Sequence, residues 1–281
     1  MTNHHVPPYL SDSLPGQAGW PIGLAHRGAD VQRENTMGAV RAAVEQGFGY
    51  IEVDVRASAD GKVVVFHDEQ LDRITTGSGK LSDHTWDELS TLTVSGPRPR
   101  YESVAEPLVL FEQLLETFPA VRFNVDLKDR QSAAPMVEIV RRHNAWGRVL
   151  IASFQDSHRL LFFAKVKAGE PTVASSAGVA PVALLLLTHR FFGFTTVTRW
   201  LRKMLPLHAL QVPVRRGPLR VVTRRFVEAC HSEGIAVHVW VVNDQDEMQR
   251  LLAMGVDGIV TDNGTALARV LGARGEWPQR P

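Results

Sequence analysis

The stretch YIEVDVRASADGKVVVFHD, residues 50–68, decides how the rest of the chain is read. Its first arm, Tyr50 to Val55, is β-branched and aromatic, yet it carries Glu52 and Asp54 two residues apart. Side chains two apart on a strand point to one face, so both carboxylates share one side of a strand that should otherwise be buried. Such a pair needs a cation to be tolerable, and a hard divalent metal is the simplest supply. Asp60-Gly61 then signals a two-residue turn, and Lys62 to His67 reads as the returning arm of a hairpin. With Asp60 and Gly61 at the two turn positions, Ala59 pairs with Lys62 and Asp54 falls opposite His67.

Similar apolar runs recur on both sides of this stretch: Ile22 to Ala25, Val121 to Leu127, Val149 to Ala152, Thr172 to Ser175, Ala209 to Val212, Ala236 to Val242 and Gly258 to Val260. Between them lie helix-like segments, Thr36 to Gln46, Leu110 to Thr117, Ala134 to Asn144, Val221 to Glu233, Gln245 to Met254 and Thr265 to Leu271. With Tyr50 to Val55 that makes eight strand–helix units, which predict an α/β fold of the closed (β/α)8 TIM-barrel type rather than an open sheet. At 281 residues and 44% hydrophobic, the chain is long enough for one such barrel, expected over residues 21–273. Loop-rich residues from about 69 to 107 read as a small insertion after the second strand, and residues 1–20 and 274–281 as flexible tails. Nothing in the Pro-containing start resembles a secretory signal, so a cytoplasmic protein is expected. The single Cys230 cannot form an internal disulfide and reads as a helix residue.

A barrel puts catalytic groups at the C-terminal ends of its strands, and three of four chemically loaded clusters fall there. His26-Arg27-Gly28 follows the first strand and offers a proton carrier beside a cationic fork suited to phosphate oxygens. Glu52 and Asp54 end the second strand, and Asn124, Asp126 and Lys128 share a face of the third. His67-Asp68 closes the hairpin arm. Each element alone is more often structural: a lone histidine after a strand is usually a satisfied loop residue, and Glu-x-Asp a solvated face. Chance would have to bring three carboxylates, a lysine and two histidines to one end of adjacent strands.

In order and spacing these residues resemble the glycerophosphodiester phosphodiesterase family from about residue 20 to the end. The resemblance rests on His26-Arg27-Gly28, Glu34-Asn35-Thr36, Glu52-Val53-Asp54, Asp60-Gly61 then His67-Asp68, Asn124-Val125-Asp126-Leu127-Lys128, Ser153-Phe154, Trp240-Val241-Val242-Asn243 and Gly255 to Asp262. It implies that His26 and His67 are the acid and base pair and that Glu52, Asp54 and Asp126 hold Mg2+ or Ca2+. It also implies that Arg27 and Lys128 bind the phosphate, that Trp240 lines the pocket and that Glu34 orients its neighbours. The third acidic position is often Glu in the family; Asp126 is shorter by one methylene, which bears on metal preference. The implied reaction starts with attack of the glycerol 2-hydroxyl on phosphorus and ends in sn-glycerol 3-phosphate and a free alcohol. A sugar isomerase or aldolase on a metal barrel would leave the His-Arg and Asn-x-Asp-x-Lys sets unexplained. A non-catalytic barrel binding lipid or a phosphate ester would be expected to have lost one of the histidines or carboxylates.

A formal net charge of +1 hides an asymmetry: from Pro171 to Val227 there is no Asp or Glu, but there are eight arginines and Lys203. The same stretch holds the apolar run Val182 to Leu187 and, after it, Phe194, Trp200, Leu201 and Met204. The run is far short of the roughly twenty residues of a membrane span. It reads instead as an interfacial segment, giving peripheral membrane contact through residues 179–205 and lysophospholipase D-type activity on membrane lysophospholipids as the variant reading. Packing on the barrel is the competing explanation. No nucleic-acid-binding module accompanies the arginines, so nucleic acid is not an expected partner.

Overall fold

The computed structural model describes residues 7–11, 21–96, 105–191 and 193–279. Eight strands form the barrel: β1 (Ile22–His26), β2 (Tyr50–Ala57), β3 (Arg122–Leu127), β4 (Val149–Ala152), β5 (Ala174–Ala177), β6 (Ala209–Pro213), β7 (Ala236–Trp240) and β8 (Gly258–Thr261). Each pairs in parallel with its neighbours, and β1 pairs with both β2 and β8, which closes the sheet. Helices α1 (Met37–Gln46), α2 (Phe111–Thr117), α3 (Ala133–Arg142), α4 (Asp156–Lys165), α5 (Val179–Phe191), α6 (Phe194–Met204), α7 (Arg224–Ser232), α8 (Gln245–Ala253) and α9 (Gly264–Ala273) lie between and after the strands. The strand alternation separates two cores. Outward residues such as Val53, Val125, Ile151 and Val237 pack against the helices, whereas Leu24, Leu150, Ala174, Ala209 and Ala236 fill the barrel interior.

The sequence misplaced β5 by two residues, because Ala-Ser-Ser-Ala has weaker strand character than the Thr172-Val173 that precedes it. The hairpin register is also one residue off expectation. Ala57 pairs with Val63 and Val55 with Val65, so Phe66, not His67, lies against Asp54, donating its N–H to the Asp54 carbonyl at 2.9 Å. The connection is a three-residue loop, Ala59-Asp60-Gly61: Ser58 N–H donates to Lys62 O at 3.0 Å, and Gly61 has φ +78°. Asp60 holds this loop by accepting from Ser58 Oγ at 2.6 Å and Trp86 N at 2.9 Å. The slip sends Phe66 into the small core of the insertion, with Leu71, Ile74, Leu81 and Leu89. His67 lies beyond the paired strand and lines the cavity at the barrel mouth.

Two segments expected as flexible tails are docked. Tyr9 and Leu10, in a short 3-10 turn, are 0% and 1% exposed. They close the N-terminal end of the barrel, with Tyr9 edge-on to Tyr50 at 5.5 Å. At the other terminus Trp277 stacks edge-on against Phe48 at 4.8 Å. Gln279 accepts from Gly23 N at 2.9 Å and donates to Pro21 O at 2.6 Å, tying that end to β1. The rest of both tails, residues 1–6, 12–20 and 280–281, lies outside the described residues, as do residues 97–104 of the insertion. Buried aromatic rings, Tyr9 at one end and Trp277 at the other, account for the docking, because each contributes a large apolar area to the contact. We predict that Tyr9→Ala lowers unfolding free energy by about 3–5 kcal/mol, the usual cost of deleting a buried aromatic ring. Guanidinium unfolding measures it, and a loss under about 1 kcal/mol would show that the docked segment contributes little to stability.

Candidate active site

His26 stands at the C-terminal end of β1, where its Nδ1 meets Asp262 Oδ1 at 2.6 Å. That contact directs Nε2 towards Glu52, whose Oε2 is 3.8 Å away. Burial disfavours the charged imidazole, but the Asp262 hydrogen bond and the Glu52 charge outweigh it and raise the His26 pKa. Asp262 is itself fixed by Asn243, whose Nδ2 donates to it at 3.1 Å and whose Oδ1 accepts from its N–H at 2.8 Å. His67 is held in the same manner, its Nδ1 2.6 Å from Asp68 Oδ1. Both histidines line one cavity at the C-terminal mouth, together with Arg27, Glu52, Asp54 and Asp126.

The loop after β1 is strained in a way that serves this arrangement. Arg27, Gly28 and Ala29 have φ of +52°, +88° and +55°, a conformation that costs energy and is found where a site fixes the backbone. A Cβ at Gly28 would lie 2.7 Å from Ala39 Cβ, so only glycine fits against α1 there. The loop aims Arg27 inward: its Nε lies 2.9 Å from Asp54 Oδ2, an ion pair bent too far to be a hydrogen bond, and its Nη1 donates to Glu34 Oε1 at 3.0 Å. Glu34 also accepts from Arg73 Nη2 at 2.6 Å, and Arg73 in turn pairs with Asp68. One ionic chain therefore runs Arg27, Glu34, Arg73, Asp68, His67 and couples the β1 loop to the hairpin arm.

Strand register sets the carboxylates. Glu52 lies beside Asn124 and Asp54 beside Asp126. Lys128 Nζ reaches both Asp54 Oδ1, at 2.8 Å, and Asp126 Oδ2, at 2.7 Å, and it sits 5.4 Å from the ring of Phe154. Phe154 meets Trp240, at the end of β7, edge-on at 5.4 Å. These contacts divide the three acids. Burial works against the Asp54 anion, but Lys128 and Arg27 more than compensate and its pKa falls. For Glu52, burial and the Asp54 charge dominate and the pKa rises; burial likewise raises Asp126 despite Lys128.

A hard cation fits this donor set. Glu52 is a nearly buried carboxylate without a full cationic partner, and Asp126 Oδ1 is a buried oxygen with no hydrogen bond. Among the described residues, however, no three His, Cys, Asp or Glu side chains converge tightly enough to cage an ion as they stand. Lys128 lies between Asp54 and Asp126, within ion-pair distance of both. Among the residues that hold the site together, Asp262, Asn243, Arg73, Asp68 and Asn35, whose amide donates to Asp54 Oδ2 at 3.0 Å, had no role in the sequence reading. Asp262 and Asn243 carried a signal, because both follow barrel strands at the C-terminal end; Arg73, inside an aperiodic insertion, carried none.

A closed parallel barrel whose mouth gathers two Asp-held histidines, three acids and two phosphate-sized cationic groups is a hydrolase of the TIM-barrel class. The model of the glycerophosphoryl diester phosphodiesterase family matches residues 26–265, and the chain belongs to that family. The chain is 37% identical over 261 residues to a Mycobacterium tuberculosis protein named "Probable glycerophosphodiester phosphodiesterase 2", covering 92% of this chain and 94% of the relative. Two solved structures share the fold. One is a glycerophosphodiester phosphodiesterase of Agrobacterium tumefaciens, 23% identical with a TM-score of 0.69 over 90% of this chain and 99% of the other. The second is an Oleispira antarctica phosphodiesterase in complex with the product sn-glycerol-3-phosphate, 22% identical with a TM-score of 0.72 over 90% and 97%.

Proposed function

We propose that this phosphodiesterase hydrolyses glycerophosphodiesters to sn-glycerol 3-phosphate and an alcohol, using His26 and His67 as the proton-transfer pair and a divalent metal as cofactor. The observation that carries the reading is the matched pair of His-Asp contacts lining one cavity, His26 with Asp262 and His67 with Asp68, each at 2.6 Å. With Nδ1 held by a carboxylate, each ring presents Nε2 to the substrate as a base or, once protonated, as an acid. One imidazole takes the proton of the glycerol 2-hydroxyl as its oxygen attacks phosphorus, and the other gives a proton to the departing alkoxide. Water then opens the cyclic phosphate with the two roles exchanged. Arg27 and Lys128 bring positive charge to the phosphoryl oxygens, Arg27 as a planar fork and Lys128 as a point charge. Glu52, Asp54 and Asp126 would hold Mg2+ or Ca2+, which supplies further positive charge beside the phosphate.

The test is release of glycerol 3-phosphate from glycerophosphocholine by protein stripped of metal and then given Mg2+ or Ca2+. Release restored by either ion supports the reading. Full activity after exhaustive chelation removes the metal from it, and no release under any condition removes the substrate.

A second reading is favoured by the cavity itself, whose volume is about 1270 Å3, far more than a glycerophosphate fills. Val179, Val182, Ala183, Leu186 and Leu187 of α5 form one wall, and Val179 and Leu187 are also 44% and 56% exposed. An apolar helix face open to a catalytic cavity suits a diester carrying one hydrocarbon chain, of which lysophospholipase D-type substrates are one form. The exposed Trp200 and Met204 of α6 would extend the contact to a lipid surface. No helix among the described residues is long and apolar enough to cross a membrane. Flotation with anionic liposomes checks the surface contact: we expect co-flotation that salt weakens, and no binding with or without anionic lipid would end the idea.

A further inference from the structure

The bottom of the active-site cavity carries polar groups that neither the proton-transfer pair nor the carboxylates use. Asn124 on β3, Ser176 on β5 and Gln211 on β6 all point into the barrel and line the cavity. Asn124 and Ser176 are each 1% exposed. Asn124 Oδ1, Ser176 Oγ and Gln211 Nε2 are buried atoms with no hydrogen-bond partner in the protein. A buried polar atom left unpaired costs about 1–3 kcal/mol, so three on one surface need a partner. Directly beneath them the interior turns apolar, with Leu24, Leu150, Ala174, Ala209 and Ala236. The polar layer is thus a closed floor and not the start of a channel.

The chemistry of the floor selects its ligand. All three groups are neutral, and so is the deeply buried His238, which pairs in register with Gln211 and whose pKa burial pushes down to about 4. Of the charged groups, Arg27, Lys128, Asp54 and Asp126 stand nearer the strand ends, and Glu52, in register with Asn124, borders the floor on one side. A neutral set that includes a hydroxyl, an amide donor and an amide acceptor matches alcohol groups, which give and take hydrogen bonds, better than it matches an anion. The cavity offers two ends to a diester: this closed floor and an open mouth walled by α5. The part of the substrate that never varies belongs at the closed end.

We propose that Asn124, Ser176 and Gln211 form a subsite for the terminal hydroxyl of the substrate's glycerol, and that the leaving alcohol faces the apolar mouth. The proposal rests on the phosphodiesterase reading and sharpens it. A hydrocarbon chain on the α5 wall then belongs to the leaving alcohol. This decides between the two readings above: a 1-acyl lysophospholipid has its terminal hydroxyl esterified and its chain on the glycerol, not on the leaving alcohol, so it leaves the floor unpaired, and the subsite favours the unacylated glycerophosphodiester over the lysophospholipase D-type substrate.

Binding and turnover test it with probes that differ by one hydroxyl. Propane-1,2-diol phosphate keeps the 2-hydroxyl of sn-glycerol 3-phosphate and lacks the terminal one. Calorimetry on the wild-type protein should show sn-glycerol 3-phosphate binding about 10- to 100-fold tighter, the usual worth of one or two buried hydrogen bonds. In Ser176→Ala and Gln211→Leu the preference should fall to within about threefold, chiefly through weaker binding of the glycerol compound. Both ligands are read on one preparation, so a loss of folded fraction cancels in the ratio. The p-nitrophenyl diesters of the two polyols should give the same preference in kcat/KM. Equal binding of the two phosphates by the wild type, or a preference unchanged in both variants, would overturn the subsite and leave the floor to water. Binding needs no turnover, so preferential binding without hydrolysis would count against the proposed reaction and still uphold the floor.

Discussion

Replacing His26 or His67 with alanine should lower kcat on glycerophosphocholine by about 10³- to 10⁴-fold, the upper part of the range for a lost general acid or base. The expectation is for both residues because their settings match: each has Nδ1 against a carboxylate at 2.6 Å and lines the same cavity. Neither is a core residue, so the folded state should persist, and an unchanged thermal midpoint separates lost chemistry from lost structure. The leaving group distinguishes the roles. With a p-nitrophenyl ester the departing phenolate needs no proton, so the variant lacking the acid should recover most of its first-step rate and the variant lacking the base should not. Wild-type turnover in either variant would remove that histidine from the mechanism. Recovery of both variants with the activated ester would mean that neither acts as base.

The barrel was legible because its signal is repeated. Eight β-rich runs alternating with helical segments survive an error in any one of them, and the displaced β5 did not change the fold. The carboxylates and His26 were legible for a local reason: residues two apart on a strand must share a face, and the strand end must meet the active-site mouth. His67 reached the site although the register that was to put it there was wrong by one. The turn residues Asp60-Gly61 fit both a two- and a three-residue loop, and only the contacts of Asp60 with Ser58 and Trp86 decide between them. Arg73 and the floor residues lay beyond the sequence for a different reason. Arg73 depends on where an aperiodic insertion folds back, and Ser176 and Gln211 look like ordinary strand polar residues until the barrel closes around them. The acid-free stretch gave half an answer: α5 both packs on the barrel, through Leu185, and opens apolar side chains to the cavity.

Glu52→Gln should move activity and metal-free stability in opposite directions. Asp54 has Lys128 and Arg27 within ion-pair distance, whereas Glu52 is buried beside the Asp54 charge with the Arg27 N–H at 3.3 Å and the His26 ring at 3.8 Å. Removing one buried charge that lacks a full partner relieves both its desolvation and the repulsion from Asp54, and the amide keeps the side-chain shape. The metal-free variant is therefore expected to be more stable than wild type by about 1–2 kcal/mol. Turnover should drop by at least about 10³-fold, because a cation site built from buried acids loses affinity with each charge removed. A third reading links the two. Mg2+ or Ca2+ at about a hundred times its dissociation constant should stabilise the wild type by about 2.7 kcal/mol, and the same concentration should barely move the variant. Chemical unfolding of both proteins with chelator and with each ion reads all the stability terms. Equal stabilisation of wild type and Glu52→Gln by the ion would take Glu52 out of the metal site. A metal-free variant less stable than wild type would mean that the His26 contact already compensates the Glu52 charge, and the case for a cation there would rest on Asp126 alone.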